Sequence, residues 1–102
     1  MEILILKPVE EFMDALDSKT IAKIHHNIDL LKSFTYKLPP PYCKKISKNL
    51  YELRIRGNLE VRIFYTFKNQ DIRLFHAYIK KTNKIPVRIL ETVRRKLKGL
   101  DI

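Results

Sequence analysis

The sequence predicts an α+β fold, an N-terminal helical hairpin packed on an antiparallel β-sheet with a C-terminal helix. Three patterns in the 102 residues carry that prediction. Apolar residues recur every three or four positions from Val9 to Leu31, the period of a helix face. From Tyr51 to Ile79 they alternate with polar residues at period two, as strands require. After Pro86 the helical period returns. The length suits a single domain over residues 1–102, and a hydrophobic share of 45% is enough for a modest core.

Each element has its own grounds. Glu2–Leu6 is a short apolar run ended by Lys7-Pro8 and reads as a first strand. Pro8 suits the first turn of a helix, where its missing N–H costs nothing, and Glu10 and Glu11 favour the helix dipole. Val9, Phe12, Met13 and Leu16 then give a short helix over Pro8–Leu16. Asp17 or Ser18 can cap a second helix that turns Ile21, Ile24, Ile28 and Leu31 inward. Pro39-Pro40-Pro41 can be neither helix nor central strand, so a stiff connector is expected across 34–49. A three-stranded meander follows: Tyr51–Ile55, a turn at Gly57-Asn58 where both residue types accept positive φ, Leu59–Phe67, a turn at Lys68–Asp71, and Ile72–Ile79. Such a meander needs helices on one face. The last helix starts near Pro86, with Val87, Leu90, Val93 and Leu97 inward and Gly99 as its stop.

The charge is +10 at neutral pH, and it is unevenly placed. Residues 1–42 carry five Lys and six acids, whereas residues 43–102 carry sixteen bases and five acids and every arginine. The second half therefore faces an anionic partner, and Arg suits phosphate because its planar fork donates two hydrogen bonds to one anion.

Several chemistries are excluded by composition. The lone Cys43 allows no internal disulfide and no cysteine-based zinc site. His25 and His26 are adjacent, so on a helix they point ~100° apart and share no metal face. Gly57 and Gly99 are too few for a phosphate loop or a dinucleotide fingerprint, so neither metal nor small-molecule cofactor is expected. Glu52 and Glu60 are the acids of the meander's first two strands, which leaves no carboxylate pair for conventional acid–base hydrolysis. No apolar run approaches the ~18–20 residues of a membrane span, and the start of the chain does not read as a signal peptide. A cytoplasmic location away from membranes is expected.

What remains is a basic, aromatic sheet surface. Arg54 and Arg62 lie opposite the apolar set of their strands, and Phe64 shares their parity. His76, Tyr78 and Lys80 follow at period two on a neighbouring strand. Converging cations can hold successive phosphates, while Phe64 and Tyr78 could stack on unpaired bases. Lys44, Lys45, Lys48, Arg56, Lys81 and Lys84 extend the surface available to RNA. The same groups suit RNA cleavage, in which a 2′-hydroxyl attacks the adjacent phosphate and cations stabilise the pentacoordinate anion.

The order of short motifs sharpens this reading. Leu50–Arg54 reads Leu-Tyr-Glu-Leu-Arg, Val61–Tyr65 reads Val-Arg-Ile-Phe-Tyr, and His76–Thr82 reads His-Ala-Tyr-Ile-Lys-Lys-Thr, followed by Lys84-Ile85-Pro86. In this order and spacing they resemble the RelE superfamily of toxins, and most closely its phage-derived, HigB-like branch. The early Val9-Glu10-Glu11-Phe12 is similar to that family's first helix. The resemblance implies a RelE/ParE-like fold and a toxin of a toxin–antitoxin pair that cuts mRNA as a ribosome-dependent endoribonuclease. It implies a helix-turn-helix antitoxin as partner, with the ribosome and mRNA as targets. On that resemblance Arg54, Arg62 and Lys80 are the expected catalytic residues. Arg62 would stabilise phosphoryl charge, Arg54 would orient the phosphate, and Lys80 or Lys81 would assist proton transfer. Tyr65 falls with the core set by parity, and His76 is expected to hydrogen-bond within the fold.

Two alternatives stand beside it. A ParE-like gyrase inhibitor could use the same fold, and charge alone would suit a non-catalytic module binding RNA or an acidic protein.

Overall fold

The computed structural model describes residues 1–100. In chain order the elements are β1 (Glu2–Ile5), α1 (Lys7–Asp14), α2 (Ser18–Phe34), β2 (Cys43–Ser47), β3 (Leu50–Ile55), β4 (Val61–Lys68), β5 (Asp71–Ile79) and α3 (Val87–Leu100). The strands form one sheet in the order β1-β5-β4-β3-β2. β1 runs parallel to β5 and the other neighbours are antiparallel. The α+β class therefore holds, but the sheet is mixed rather than wholly antiparallel. A parallel neighbour needs a long crossover, and everything between Leu6 and Gln70 serves as one for β1 and β5.

Helix starts follow local chemistry. Pro8 sits in the first turn of α1. Asp17 caps α2, its carboxylate accepting from the Thr20 backbone N–H at 3.0 Å and from the Thr20 hydroxyl at 2.6 Å. These hydrogen bonds hold the Asp17 carboxyl below its usual pKa. α1 lies over β5 and α2 over β3. Val9, Met13, Ile24, Ile28 and Leu31 from the helices meet Leu53, Ile55, Val61, Ile63, Tyr65, Ile72 and Leu74 from the sheet.

Four local expectations are corrected. The connector expected across 34–49 contains a strand, because the chain beyond Pro41 pairs with β3 from Cys43 opposite Leu53 to Ser47 opposite Leu50. As an edge strand β2 tolerates its exposed Lys44 and Lys45, which also discourage stray pairing. Neither Gly57 nor Asn58 takes a positive φ. Among the described residues positive φ falls instead on Thr35 at the end of α2, on Asn49 between β2 and β3, and on Asn69 and Gln70 in the two-residue turn between β4 and β5. In α3 the inward face is set by Ile89, Val93, Leu97 and Leu100, while Val87 is 71% exposed. Gly99 does not stop α3, which runs on to Leu100.

One irregularity decides which way β5 faces. Phe64 of β4 opposes His76, but Tyr65 opposes Leu74, so Phe75 is an extra residue on β5. A bulge of this kind inverts the alternation that follows it. Ile72 and Leu74 can thus face the helical hairpin while His76 and Tyr78 face the opposite side. There Leu50, Phe64, Phe75 and Val93 form a smaller core beneath α3. No helix among the described residues is long and apolar enough to cross a membrane.

Candidate functional site

α3 covers part of its sheet face and leaves the rest open. Beside it lies a cleft of about 360 Å³ lined by Lys44, Glu52, Arg54, Lys80, Asn83 and Lys84, with Ile46, Ile85 and Leu90 as its apolar wall. A second hollow of about 280 Å³ is lined by Arg56, Glu60, Arg62, Lys80, Lys81, Thr82 and Asn83. Lys80 and Asn83 belong to both, so the two form neighbouring lobes of one cationic surface.

Strand register builds this surface. Arg54 of β3 stands opposite Arg62 of β4, which stands opposite Tyr78 of β5. The adjacent row is Lys44, Glu52, Phe64 and His76. Two arginines directly opposed across a sheet repel. Glu52, two residues from Arg54 and on the same face, supplies the counter-charge. Its Oε1 accepts from Arg54 Nε at 3.1 Å, and its Oε2 lies 3.9 Å from Arg62 Nε.

The two arginines are held differently. Arg54 retains 20% of its side-chain exposure, and Arg62 retains 4%. Arg62 Nη2 donates to Glu60 Oε1 at 3.2 Å and Nη1 donates to the Val61 carbonyl at 3.0 Å. Arg62 is thus a buried cation neutralised from two sides, as burial of charge requires. Glu52 Oε2, Arg62 Nε and the Tyr78 hydroxyl are buried without hydrogen-bond partners among the described residues. Burial, and then the negative charge of Glu52, push the Tyr78 pKa upward against the opposing pull of Arg62. Tyr78 therefore keeps its proton and remains a donor.

His76 makes a hydrogen bond within the fold, as expected. Lys96 of α3 lies 2.9 Å from its Nδ1, and an ammonium can only donate, so the imidazole nitrogen accepts. Burial first, and the Lys96 charge second, lower the His76 pKa. Tyr65 also stays structural. It is 1% exposed, and burial pushes its pKa upward.

The expected site residues separate into three groups. Arg54, Lys80, Lys84 and Lys44 meet at the first lobe, and Arg56, Arg62, Lys80 and Lys81 at the second. Lys45 lies elsewhere, its ammonium 5.9 Å from the Tyr51 ring centroid, and Lys48 sits in the exposed turn after β2. Phe64 is the correction. Its ring has 0% exposure and stacks on Tyr78 at 5.9 Å within the smaller core, so it offers no face to a base. α3 packing on that part of the sheet is the cause.

Glu52 and Asn83 were not among the expected residues. Glu52 was visible by parity, since it alternates with Leu53 alongside Arg54. Asn83 lies in the loop after β5, where no periodicity marks it.

None of the curated proteins compared matches the chain. A family model described as "Phage derived protein Gp49-like (DUF891)" matches residues 11–98, from α1 to the last turns of α3 and across the whole cationic surface. With most of its length and all of its site inside that match, the chain belongs to the Gp49-like family of phage-derived proteins, a RelE-related, toxin-like family.

Proposed function

We propose that this protein is the toxin of a toxin–antitoxin pair and acts as a ribosome-dependent endoribonuclease on mRNA. The observation that carries the reading is the two-lobed cationic cleft, with Lys80 shared by both lobes and Arg54 anchored by Glu52. RelE-type toxins, to which the family is related, are endoribonucleases. A toxin-like family also implies an antitoxin as partner, and a helix-turn-helix protein is the form proposed here.

The chemistry needs no metal. A phosphate in the cleft receives charge-assisted hydrogen bonds from Arg54, whose Nε is occupied by Glu52 and whose terminal nitrogens remain for the ligand. The 2′-oxygen forms a bond to phosphorus, the bond to the 5′-oxygen breaks, and the products are a 2′,3′-cyclic phosphate and a 5′-hydroxyl. Arg54 and Lys80 stabilise the extra charge of the pentacoordinate species. Lys80 or Lys81 moves the proton between the attacking and leaving oxygens. Arg62 acts from below, fixing the field under the phosphate rather than wrapping around it.

Expression in a bacterial host tests the reading. Growth arrest with codon-phased mRNA ends is expected. Arrest at full strength from the Arg62→Ala/Lys80→Ala double variant would contradict it, and DNA breaks with intact mRNA would favour a gyrase inhibitor.

A further inference from the structure

The cationic surface continues past the cleft into a groove that the cleavage chemistry does not use. This groove, about 640 Å³, lies between the segment after α2 and the edge strand β2. Lys44 and Arg54 line both it and the first lobe of the cleft. Tyr36, Leu38, Cys43 and Tyr51 supply much of the remaining lining, with Lys45 beside them.

Tyr36 is the unusual member. It is 65% exposed, yet its ring is fixed rather than free. It stacks on Phe67 with centroids 4.1 Å apart and planes 27° apart. Phe67 in turn meets Tyr51 edge-on at 5.2 Å, and Tyr51 stacks on Tyr65 at 5.4 Å. A ladder of four rings therefore runs from the core to one exposed ring. An exposed aromatic that is already immobilised loses little entropy when a second flat group stacks on it.

We propose that this groove is a base-stacking subsite for an unpaired nucleotide of the RNA strand that flanks the phosphate in the cleft. Lys44 and Arg54 carry the sugar-phosphate backbone from one hollow to the next, and the Tyr36 ring receives the base. Fixed aromatic rings combined with tracking cations are how single-stranded nucleic acid is held without sequence readout. The charged groups lining the groove are Lys44, Lys45 and Arg54, all cationic, which suits a polyanion. Sharing two of them with the cleft favours the same RNA strand over a separate protein ligand. The volume lies within the range that takes a small organic ligand such as one nucleotide.

This inference rests on the endoribonuclease reading, and the test separates the two. The purified chain is titrated at low salt with two uncleavable 2′-O-methyl RNAs, a trinucleotide that fills the cleft and a strand of about ten nucleotides that reaches the groove. Tyr36→Ala should weaken the longer RNA by about fivefold or more and leave the trinucleotide unchanged. Tyr36→Phe keeps the ring and should bind both RNAs as the wild type does. Lys45→Glu, at an exposed position, should weaken the longer RNA alone and so guards against misfolding of the alanine variant. Unchanged affinity of Tyr36→Ala and Lys45→Glu for the longer RNA would overturn the subsite while leaving the cleft reading intact. So would variants that lose only binding to poly-glutamate, which would assign the groove to an acidic protein. Failure of the wild type to bind the longer RNA would also overturn the subsite, whereas the ribosome-dependent cleavage reading falls only if mRNA stays intact on translating ribosomes.

Discussion

Glu52 accepts a hydrogen bond from Arg54 Nε at 3.1 Å while only 1% of its side chain is exposed. A buried carboxylate thus sets the direction of a half-buried guanidinium at the floor of the cleft. Its second oxygen lies 3.9 Å from Arg62 Nε, so one acid neutralises two arginines that the register places face to face. Removing one member of a buried ionic cluster strands the others. The cluster is therefore both a structural and a functional unit.

Glu52→Ala should destabilise the fold by about 2–3 kcal/mol, at or below the low end for a broken buried pair because Arg62 keeps Glu60. Urea denaturation measures it. Glu52→Gln keeps the shape but not the charge. It should retain more stability than Glu52→Ala and still cleave RNA more slowly than wild type.

Lys80 and Arg62 should differ in what their removal costs. Lys80 is half-buried at the junction of the lobes, so Lys80→Ala should change stability by less than about 0.5 kcal/mol. Its cleavage rate should fall by about 10²–10³, the usual loss for one electrostatic stabiliser. Arg62→Ala should lose stability as well, because Glu52 and Glu60 lose their shared cation. Parallel denaturation and cleavage assays on the two variants check the contrast.

Phe64→Ala should cost about 3–5 kcal/mol, as removal of a fully buried aromatic does. Phe64→Leu should restore most of that and leave RNA affinity unchanged. A surface stacking residue would behave in the reverse manner, losing affinity without losing stability.

Acid should loosen α3. The folded-state pKa of His76 lies below its usual 6.5, so as pH falls the unfolded chain takes up that proton first. The stability contributed by neutral His76 is complete above about pH 6.5 and is lost as pH falls from there through the lower folded value. Protonation also turns the contact with Lys96 into a repulsion. Urea midpoints measured across this range should decline in the wild type and decline less in His76→Gln.

How much of this was legible varies by element. β3 and β4 were readable because one face of each packs on the hairpin and the other carries Glu52, Arg54, Arg62 and Thr66, an alternation of residue type that Phe64 alone interrupts in β4 although six of its residues are buried. β2 was hidden by the three prolines that precede it and by Lys44 and Lys45, which an edge strand tolerates but a central strand does not. The bulge at Phe75 shows in the sequence only as two consecutive apolar residues, Leu74 and Phe75, and a strand buried on both faces gives the same run. Arg62 and Phe64 share a parity and both lie on the expected face, but parity cannot tell a covered face from an open one. Only the docking of α3 makes that distinction, and it buries Phe64 while leaving Arg54 and Lys80 at the cleft. The burial of Arg62 likewise depends on Glu52 arriving from β3 and Glu60 from the loop just before β4.

The most direct test of the central claim is cleavage of a single mRNA on translating ribosomes in a purified system. Wild-type protein should cut at codon-phased positions and leave 2′,3′-cyclic phosphate and 5′-hydroxyl ends. A 2′-deoxynucleotide placed on the 5′ side of one cut should abolish that cut alone, and Lys80→Ala should slow all of them by about 10²–10³. Cleavage that persists at the deoxy position, or intact mRNA with active wild-type protein present, would contradict the account.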